Sequence, residues 1–594
     1  MFTGKFNAEK IGEIRPNQLI TSFGPGAITE AVKDSVTVLD TSYWQDTGTP
    51  IYDSRLASYF GVDHFCPPKA SYGNDLPVIS FPNYHVCSNA GCTRLFDIRE
   101  TFDIDTYNRQ GPTCPDCGFR AYPARFVVAC KDGHLDDFPW RWWVHRGNTS
   151  CIKKMKLYST GESSTLAEMV VECECKNTKG ENIRRSMSGA TDRSDFTEKG
   201  YECTGRHPHR PNSKNEKCKC KDVFPSQRGA TNIYFPVTRS AISIPPWTNP
   251  LYLLLDEHNH TILEMLKLGV EDALERIYNE YFQDFSKNEF DKAIENRKKK
   301  IKEYIEIKEM EYAAFIHHAD PSYKKDVKYF KANEDPVPEY LQKYFSRIIR
   351  IERLREILVL QGFTRIDPPE PEADDLKNMI RLNTKKPDSW LPGVEIHGEG
   401  IFMEFNRTSI KEWLKIPSIN KVSVHYKDLY NRYAAERGWE SVKERNGEYV
   451  LIHTFAHLMI KEMSLQSGYS SAAIRERIYS SPSMCGVLFY TGSSDKEGSL
   501  GGLVELGEIS KLRKLLKAAI ENALLCTTDP ECAGSPIGND SLNGSACHSC
   551  CMISETACEN GNRLLDRSLI VPLDGKSDMS FFKDLVNELC SISL

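Results

Sequence analysis

Between residues 526 and 558 the chain carries six cysteines: Cys526, Cys532, Cys547, Cys550, Cys551 and Cys558. Thiols at this density, set among Gly, Asn and Ser, are a poor way to pack a core and a good way to hold a metal. Tetrahedral Zn²⁺ needs four soft donors converging on one point. The Cys547-His548-Ser549-Cys550 pair supplies two from one tight turn, and Cys532 and Cys558 flank it at loop-closing distances. We read Cys532, Cys547, Cys550 and Cys558 as the ligands, with Cys526 as the substitute for Cys532. Four thiolates leave no open position for a catalytic water, so such a site is structural. The alternative is a set of free buried thiols.

Two further constellations follow the same logic. Cys87-x4-Cys92 faces Cys114-Pro-Asp-Cys117-Gly, a zinc-ribbon pattern in which the glycine lets the backbone fold around the metal. Cys173-x-Cys175, Cys203 and Cys218-x-Cys220 form a weaker signal, because one residue between ligands is tighter than the usual two to four. We take Cys173, Cys175, Cys203 and Cys218 as its ligands, with Cys220 as the substitute for Cys218. The loop that closes it is basic, with Arg206, His207, His209, Arg210, Lys214, Lys217 and Lys219. A metal-pinned loop with those cations could hold phosphates, and we single out Arg206, Arg210, Lys214 and Lys219 as nucleic-acid-binding candidates. A solvated charged loop is the alternative. In CKDGHLDDFPW, Cys130-x3-His134 has a metal-compatible spacing, but we favour a buried thiol with locally paired aspartates. Trp140, Trp142 and Trp143 read as core anchors.

The 594 residues are too many for one core, and the 40% hydrophobic and 27% charged residues are those of a globular protein. A formal net charge of −6 gives no global basic field, so any contact with nucleic acid must come from local patches. The N-terminus shows no apolar signal core, and the longest apolar runs, such as 252–255, are too short for a bilayer. A cytoplasmic location is expected, where the 20 cysteines are reduced and clustered ones serve as metal ligands before disulfides.

The expected fold class is α+β and multidomain. Residues 1–245 form a β-rich region with zinc-ribbon-like loops, with strands at 35–40, 125–130 and 232–237. Residues 246–389 are a helical middle, in which VPEYLQKYFSRIIRIERLREILVLQGF reads as a long amphipathic helix and 366–375 as a proline-rich acidic linker or surface loop. Residues 390–594 form a mixed α/β domain closed by the four-cysteine zinc site. It has a buried helix over 447–469, a core strand in 483–494 and an amphipathic helix over 508–526.

Several enzyme motifs fail. Gly575-Lys576-Ser577 is the second half of a P-loop, but Ile570 stands where its first glycine belongs. LLLDEH (253–258) therefore imitates a motor's acidic box without being one. His453 and His457 are spaced i, i+4, yet Thr454 replaces the glutamate that a zinc protease carries there, so we read them as buried, hydrogen-bonded histidines. His425-Tyr426-Lys427 lacks the aspartate of a phospholipase-D-type nuclease, with Arg432 in its place. No G-x-S-x-G elbow occurs.

HTFAHLMIKEMSLQSGYSSAAIRERIY, DKEGSLGGLVELG and NGSACHSCCMISETACENGNRLLDRSL together resemble a helicase-associated domain with a four-cysteine zinc site. With IRPNQLITSFGPGAITE, ACKDGHLDDFPW and QRGATNIYFPVTRSAISIPPW, most of the chain is similar to the DrmB-type subunit of DISARM, a bacterial anti-phage defence system. The resemblance implies a non-catalytic accessory subunit that binds a superfamily 2 helicase, DrmA, and helps it engage foreign DNA. It implies structural Zn²⁺ at two or three sites, with the family's ligands falling on Cys532, Cys547, Cys550 and Cys558. Cys551 stands where the family usually has an apolar residue, which leaves that ligand choice open. The competing reading is a metal-dependent nuclease acting on phage DNA, with Asp136, Asp137 and Glu404 as candidate ligands.

Overall fold

The long amphipathic segment in the chain's middle is mostly a strand, not a helix. In this computed structural model, Phe345–Thr364 runs as one 20-residue strand at the centre of the largest sheet. The structure describes residues 11–44, 48–67, 76–100, 103–161, 165–220, 222–320, 328–370, 372–373, 377–382, 389–439, 445–492, 502–538 and 542–591. Of the amphipathic helix read from the sequence, only Glu339–Gln342 is helical. The three-to-four spacing of Ile348, Ile351, Leu354 and Leu358 fits a helix, but the β-branched residues and the run ILVLQGFT fit a strand buried on both faces. Tertiary pairing decides it. Phe235–Ile242 pairs antiparallel on one side and Trp390–Phe405 on the other. Cys485–Thr491 and then Ile474–Ser480 continue the sheet. His64–Cys66 adds a parallel edge beside Trp390–Pro392. One sheet thus takes strands from all three stretches 1–245, 246–389 and 390–594.

The middle stretch keeps its expected helices, among them Asn259–Lys267, Lys287–Lys298 and Tyr304–Ile316. Tyr304–Ile316 lies against the sheet with Lys308 and Glu311 inward. Lys308 Nζ is 2.7 Å from Glu372 and 2.9 Å from Glu559, and Arg477 Nε is 2.7 Å from Glu311. The acidic stretch 366–375 is therefore no surface linker where it is described: Glu370 and Glu372 are buried and both meet Arg445. Its residues 371, 374 and 375 lie outside the described residues, as do 495–501 of the DKEGSLGGLVELG motif. Burial opposes ionisation of Glu372, but the Lys308 and Arg445 cations outweigh it and hold its carboxyl well below the usual range.

The C-terminal core is built around the helix Gly447–Ser467, buried without interruption from Gly447 to Ile460. A helix apolar all round belongs inside a domain. Asn446 caps it by accepting from the N–H groups of Glu448 and Tyr449, and Gly468 ends it in the left-handed region at φ 76°. The helices Pro417–Glu436 and Ile509–Leu524 pack around it, as expected for the second of these from its periodicity.

The N-terminal half is organised differently. A six-stranded sheet runs in the order Asn182–Ser186, Met169–Lys176, Met155–Ser159, Arg94–Asp97, Tyr84–Cys87, Ala121–Pro123. A second sheet joins Phe224–Gln227, Phe126–Ala129 and Leu135–Asp137. Between them sits a small aromatic core in which Trp140, Trp142 and Trp143 are buried with Phe138 and Phe196. Short strands around so small a core leave loops that need another cross-link, and most of the clustered cysteines fall there, with Cys87, Cys173 and Cys175 on strands. Among the described residues no helix is long and apolar enough to cross a membrane.

Candidate metal centres

Among the described residues, these groups of Cys and His side chains bring their donor atoms within 4.8 Å of one another: Cys87, Cys92, Cys114, Cys117; Cys130, His134, Cys203, Cys218; His145, Cys151, Cys173, Cys175; and Cys526, Cys532, Cys547, Cys550. A tetrahedral ion with Zn–S bonds of about 2.3 Å sets sulfur–sulfur edges of about 3.8 Å. The geometry here can be compared directly with that figure.

In the first group the Sγ atoms of Cys92 and Cys114 are 3.7 Å apart, and those of Cys87 and Cys117 are 3.4 Å apart. Cys87 ends the strand Tyr84–Cys87, which pairs with Ala121–Pro123, so the two turns meet at the sheet's end. Gly118, at φ 71°, supplies the left-handed step that turns the chain after Cys117. The Phe119 N–H lowers the Cys117 thiol to about 7, against a small opposing effect of burial. All four residues are those expected for this ribbon.

The third constellation divides in two. Cys173 and Cys175 lie on the strand Met169–Lys176 and meet Cys151, whose Sγ is 3.5 Å and 2.9 Å from theirs. His145, at the end of the helix Trp140–His145, completes the group, and its buried Nε2 has no hydrogen-bond partner, as a metal-facing lone pair would. Cys203 and Cys218 join Cys130 and His134 instead. Cys130 Sγ is 3.3 Å from His134 Nδ1 and 3.7 Å from Cys218 Sγ. Cys220 turns away toward the carbonyl of Asp222 at 3.2 Å. Gly205 allows this loop to close, because a Cβ there would lie 1.7 Å from the carbonyl oxygen of Glu216. Cys130, read from sequence as a lone buried thiol, is thus one of four converging donors. Cys151 and His145 were missed because Cys151 stands alone in sequence.

At the C-terminus Cys547 and Cys550 hold their expected places, with Sγ atoms 3.7 Å apart, and Cys532 lies 3.7 Å from Cys550. Cys526, not Cys558, is the fourth member, 3.4 Å from Cys547. The helix Ile509–Leu524 delivers Cys526 into the loop beside Thr528, whose hydroxyl is 3.3 Å from the Cys547 sulfur. Cys558 is carried away by the intervening turn to the buried helix, where its sulfur faces His453 and His457. Cys551 turns into the hydrophobic core.

The donor sets fit a divalent cation. Burial opposes ionisation of Cys547, but hydrogen bonds from Thr528 and the Cys550 backbone bring it down to about 6. Burial and the neighbouring Cys130 push Cys218 up to about 12, and contact with Cys203, then burial, does the same to Cys130. Crowded thiols of this kind ionise together only when a cation supplies the missing charge.

The basic loop is only partly available to a ligand. Arg206 Nη1 lies 2.6 Å from Asp136 and 3.2 Å from Asp137. Arg210 is buried, with Nε 2.8 Å from Asp40 and Nη2 on the carbonyl of Arg381. His207 and His209 are buried as well. Arg210 is thus a strut, whereas Lys214, Lys217 and Lys219 are exposed. Next to them Arg99, Arg141 and Arg206 line a cleft of about 530 Å³ with Asp136 and Asp137. The three nuclease candidates do not gather: Asp136 and Asp137 lie on Leu135–Asp137, and Glu404 lies in a different sheet, hydrogen-bonded to Tyr312 at 2.6 Å.

The fold and these clusters define a class: a mixed α/β multidomain protein with several cysteine clusters, one of them a four-cysteine group in a C-terminal zinc-binding domain. Residues 455–551 match the family described as the MrfA Zn-binding domain, and residues 15–235 match a domain of unknown function, DUF8724. A curated protein of Bacillus paralicheniformis, "DISARM protein DrmB", is 45% identical over 577 residues, covering 94% of this chain and 100% of that protein. The chain belongs to the DISARM DrmB family. A crystal structure titled as the DUF1998 helicase MrfA bound to DNA is 12% identical, with a TM-score of 0.18, over 34% of this chain and 22% of that one. The chain therefore spans about a fifth of that helicase, and the likeness is too slight to carry an argument.

Proposed function

We propose that this protein is a non-catalytic accessory subunit of a DISARM complex that binds a superfamily 2 helicase of the DrmA type and helps it engage foreign DNA. The observation that carries the reading is 45% identity over 94% of the chain to a DISARM DrmB protein. The match of residues 455–551 to the MrfA Zn-binding domain supports the structural zinc that this reading includes. The sequence's truncated P-loop agrees with ATP hydrolysis residing in the partner.

The four clusters act as staples, each holding structural Zn²⁺ and fixing loops that could not order themselves around so small an apolar core. The ordered loop 203–220 then presents Lys214, Lys217 and Lys219 beside the arginine-lined cleft. Exposed lysines on a fixed frame suit phosphate contact, where counterion release supplies affinity without base recognition. Arg206 stands at the cleft wall, ion-paired, and Arg210 supports the loop from below.

The test is co-expression with the neighbouring helicase, purification through a tag on this chain, and assay of DNA-stimulated ATP hydrolysis by helicase alone and by the complex. A stable complex with altered DNA binding or ATPase is expected. Failure to co-purify, with no effect on the helicase, would remove the accessory reading. DNA cleavage by the isolated chain with Mg²⁺ or Mn²⁺ would favour the nuclease instead.

A further inference from the structure

Cys558 leaves the four-cysteine group for a second one. Its Sγ lies 3.2 Å from His453 Nε2 and 3.3 Å from His457 Nε2. Glu476 Oε1 lies 3.0 Å and 3.5 Å from the same two nitrogens. All four donors fall within 4.8 Å of one another, and all four residues are buried. Their origins are independent: two turns of the helix Gly447–Ser467, the strand Ile474–Ser480, and the loop after the four-cysteine turn. Zn–N and Zn–O bonds of about 2.0–2.2 Å and a Zn–S bond of about 2.3 Å set edges of about 3.3–3.6 Å for such a mixed set. The observed distances scatter around that range.

The surroundings are those of metal ligands. His457 Nδ1 is 2.9 Å from the carbonyl oxygen of Cys551, and His453 Nδ1 is 3.3 Å from that of Leu564. Each carbonyl can only accept, so each Nδ1 carries a proton and Nε2 is the nitrogen left to face a metal. The Cys558 sulfur accepts from the N–H groups of Asn560 and Asn562, both at 3.3 Å, as a thiolate would. Glu476 Oε2 is buried with no hydrogen-bond partner. Among the described residues the ion-pair partners of Glu476 are these two imidazoles, with no lysine or arginine. A dication with one carboxylate and one thiolate is electrically neutral, which a low-dielectric core favours.

We propose that His453, His457, Glu476 and Cys558 bind a Zn²⁺ ion separate from the one at Cys526, Cys532, Cys547 and Cys550. Neither His453 nor Cys558 falls within the stretch matched by the zinc-binding family, 455–551. Four protein donors fill a tetrahedron and leave no place for water or substrate, so the ion is structural. It fastens the buried helix to the sheet and anchors the far end of the loop whose near end the four-cysteine group holds.

Anomalous diffraction from crystals of the full chain, recorded above and below the zinc edge, tests this directly. A zinc peak within about 2.0–2.3 Å of all four donors is expected. Ordered donors with no peak, or a peak at another metal's edge only, would overturn it. In solution, zinc is counted in the full chain carrying Cys558→Ser, Cys526→Ser, or both. Each single change is expected to remove one ion per chain and the double change two. A double change that removes only one would mean that both cysteines serve a single site, and the proposal would fail. Should Cys558→Ser not fold, the diffraction measurement on the unaltered chain still decides.

Discussion

The ribbon at Cys87, Cys92, Cys114 and Cys117 and the cluster at His453, His457, Glu476 and Cys558 gather four donors in opposite ways. The ribbon draws its ligands from two neighbouring turns, and Cys117 is exposed. The C-terminal cluster draws on a helix, a strand and a distant loop, all inside a core that already exists. On the proposed reading, a metal at the ribbon stands in for a core, and at the buried cluster it neutralises charge within one. Loss of the metal should therefore be local in the first case and global in the second.

The largest effect is expected from His453→Ala. It leaves the buried Glu476 carboxylate without its nearest partner, which costs about 3–5 kcal/mol for a broken buried pair. Urea unfolding of the C-terminal transition measures it. An equal loss from the ribbon variant below would break the comparison.

Next comes Met459→Ala, on the same buried helix and fully enclosed. The lost contacts and the cavity cost about 2–5 kcal/mol. Zinc content should stay unchanged, which separates packing from ligation. A loss of metal here would show that the two are one property.

Cys117→Ser should release about one zinc ion per chain while the main unfolding transition moves by less than about 1 kcal/mol, as for most changes at an exposed position. Limited proteolysis should then cut within 84–123. Protection at wild-type levels would mean that the ribbon does not order its loops.

The smallest effect on stability is expected from Lys214→Glu with Lys219→Glu, within about 0.5 kcal/mol. On DNA binding by the assembled complex, the same pair should lower the slope of log affinity against log salt by about 2. An unchanged slope would move the DNA contact off this loop.

The two kinds of site were unequally legible in the sequence. The ribbon could be read because its ligands lie in two short motifs, and Gly118 marks the turn. Cys547 and Cys550 could be read for the same reason. The fourth ligand there could not, because Cys526 and Cys558 both lie at loop-closing distance and only the path of the chain past the buried helix separates them. His453 and His457 carried the right spacing, but the motif test asked for a glutamate next to the first, whereas Glu476 arrives from a strand. Cys130-x3-His134 showed its spacing but read as a buried thiol beside locally paired aspartates, because Cys203 and Cys218 join it only in the fold. The same lesson holds for Phe345–Thr364. Its apolar spacing admits helix or strand, and only the two flanking strands decide. Arg210 looked like a surface cation until its partner, Asp40, came from far away in sequence.

The most direct measurement is zinc release from the purified full chain to a chromogenic chelator, followed first under native conditions and then in denaturant. The account expects a fast native fraction from the exposed ribbon while the C-terminal core stays folded. It expects a slow fraction freed only on unfolding, and a total of five ions per chain, one for each of the five clusters described above. Complete release in a single native phase, or a total of four or fewer, would contradict it.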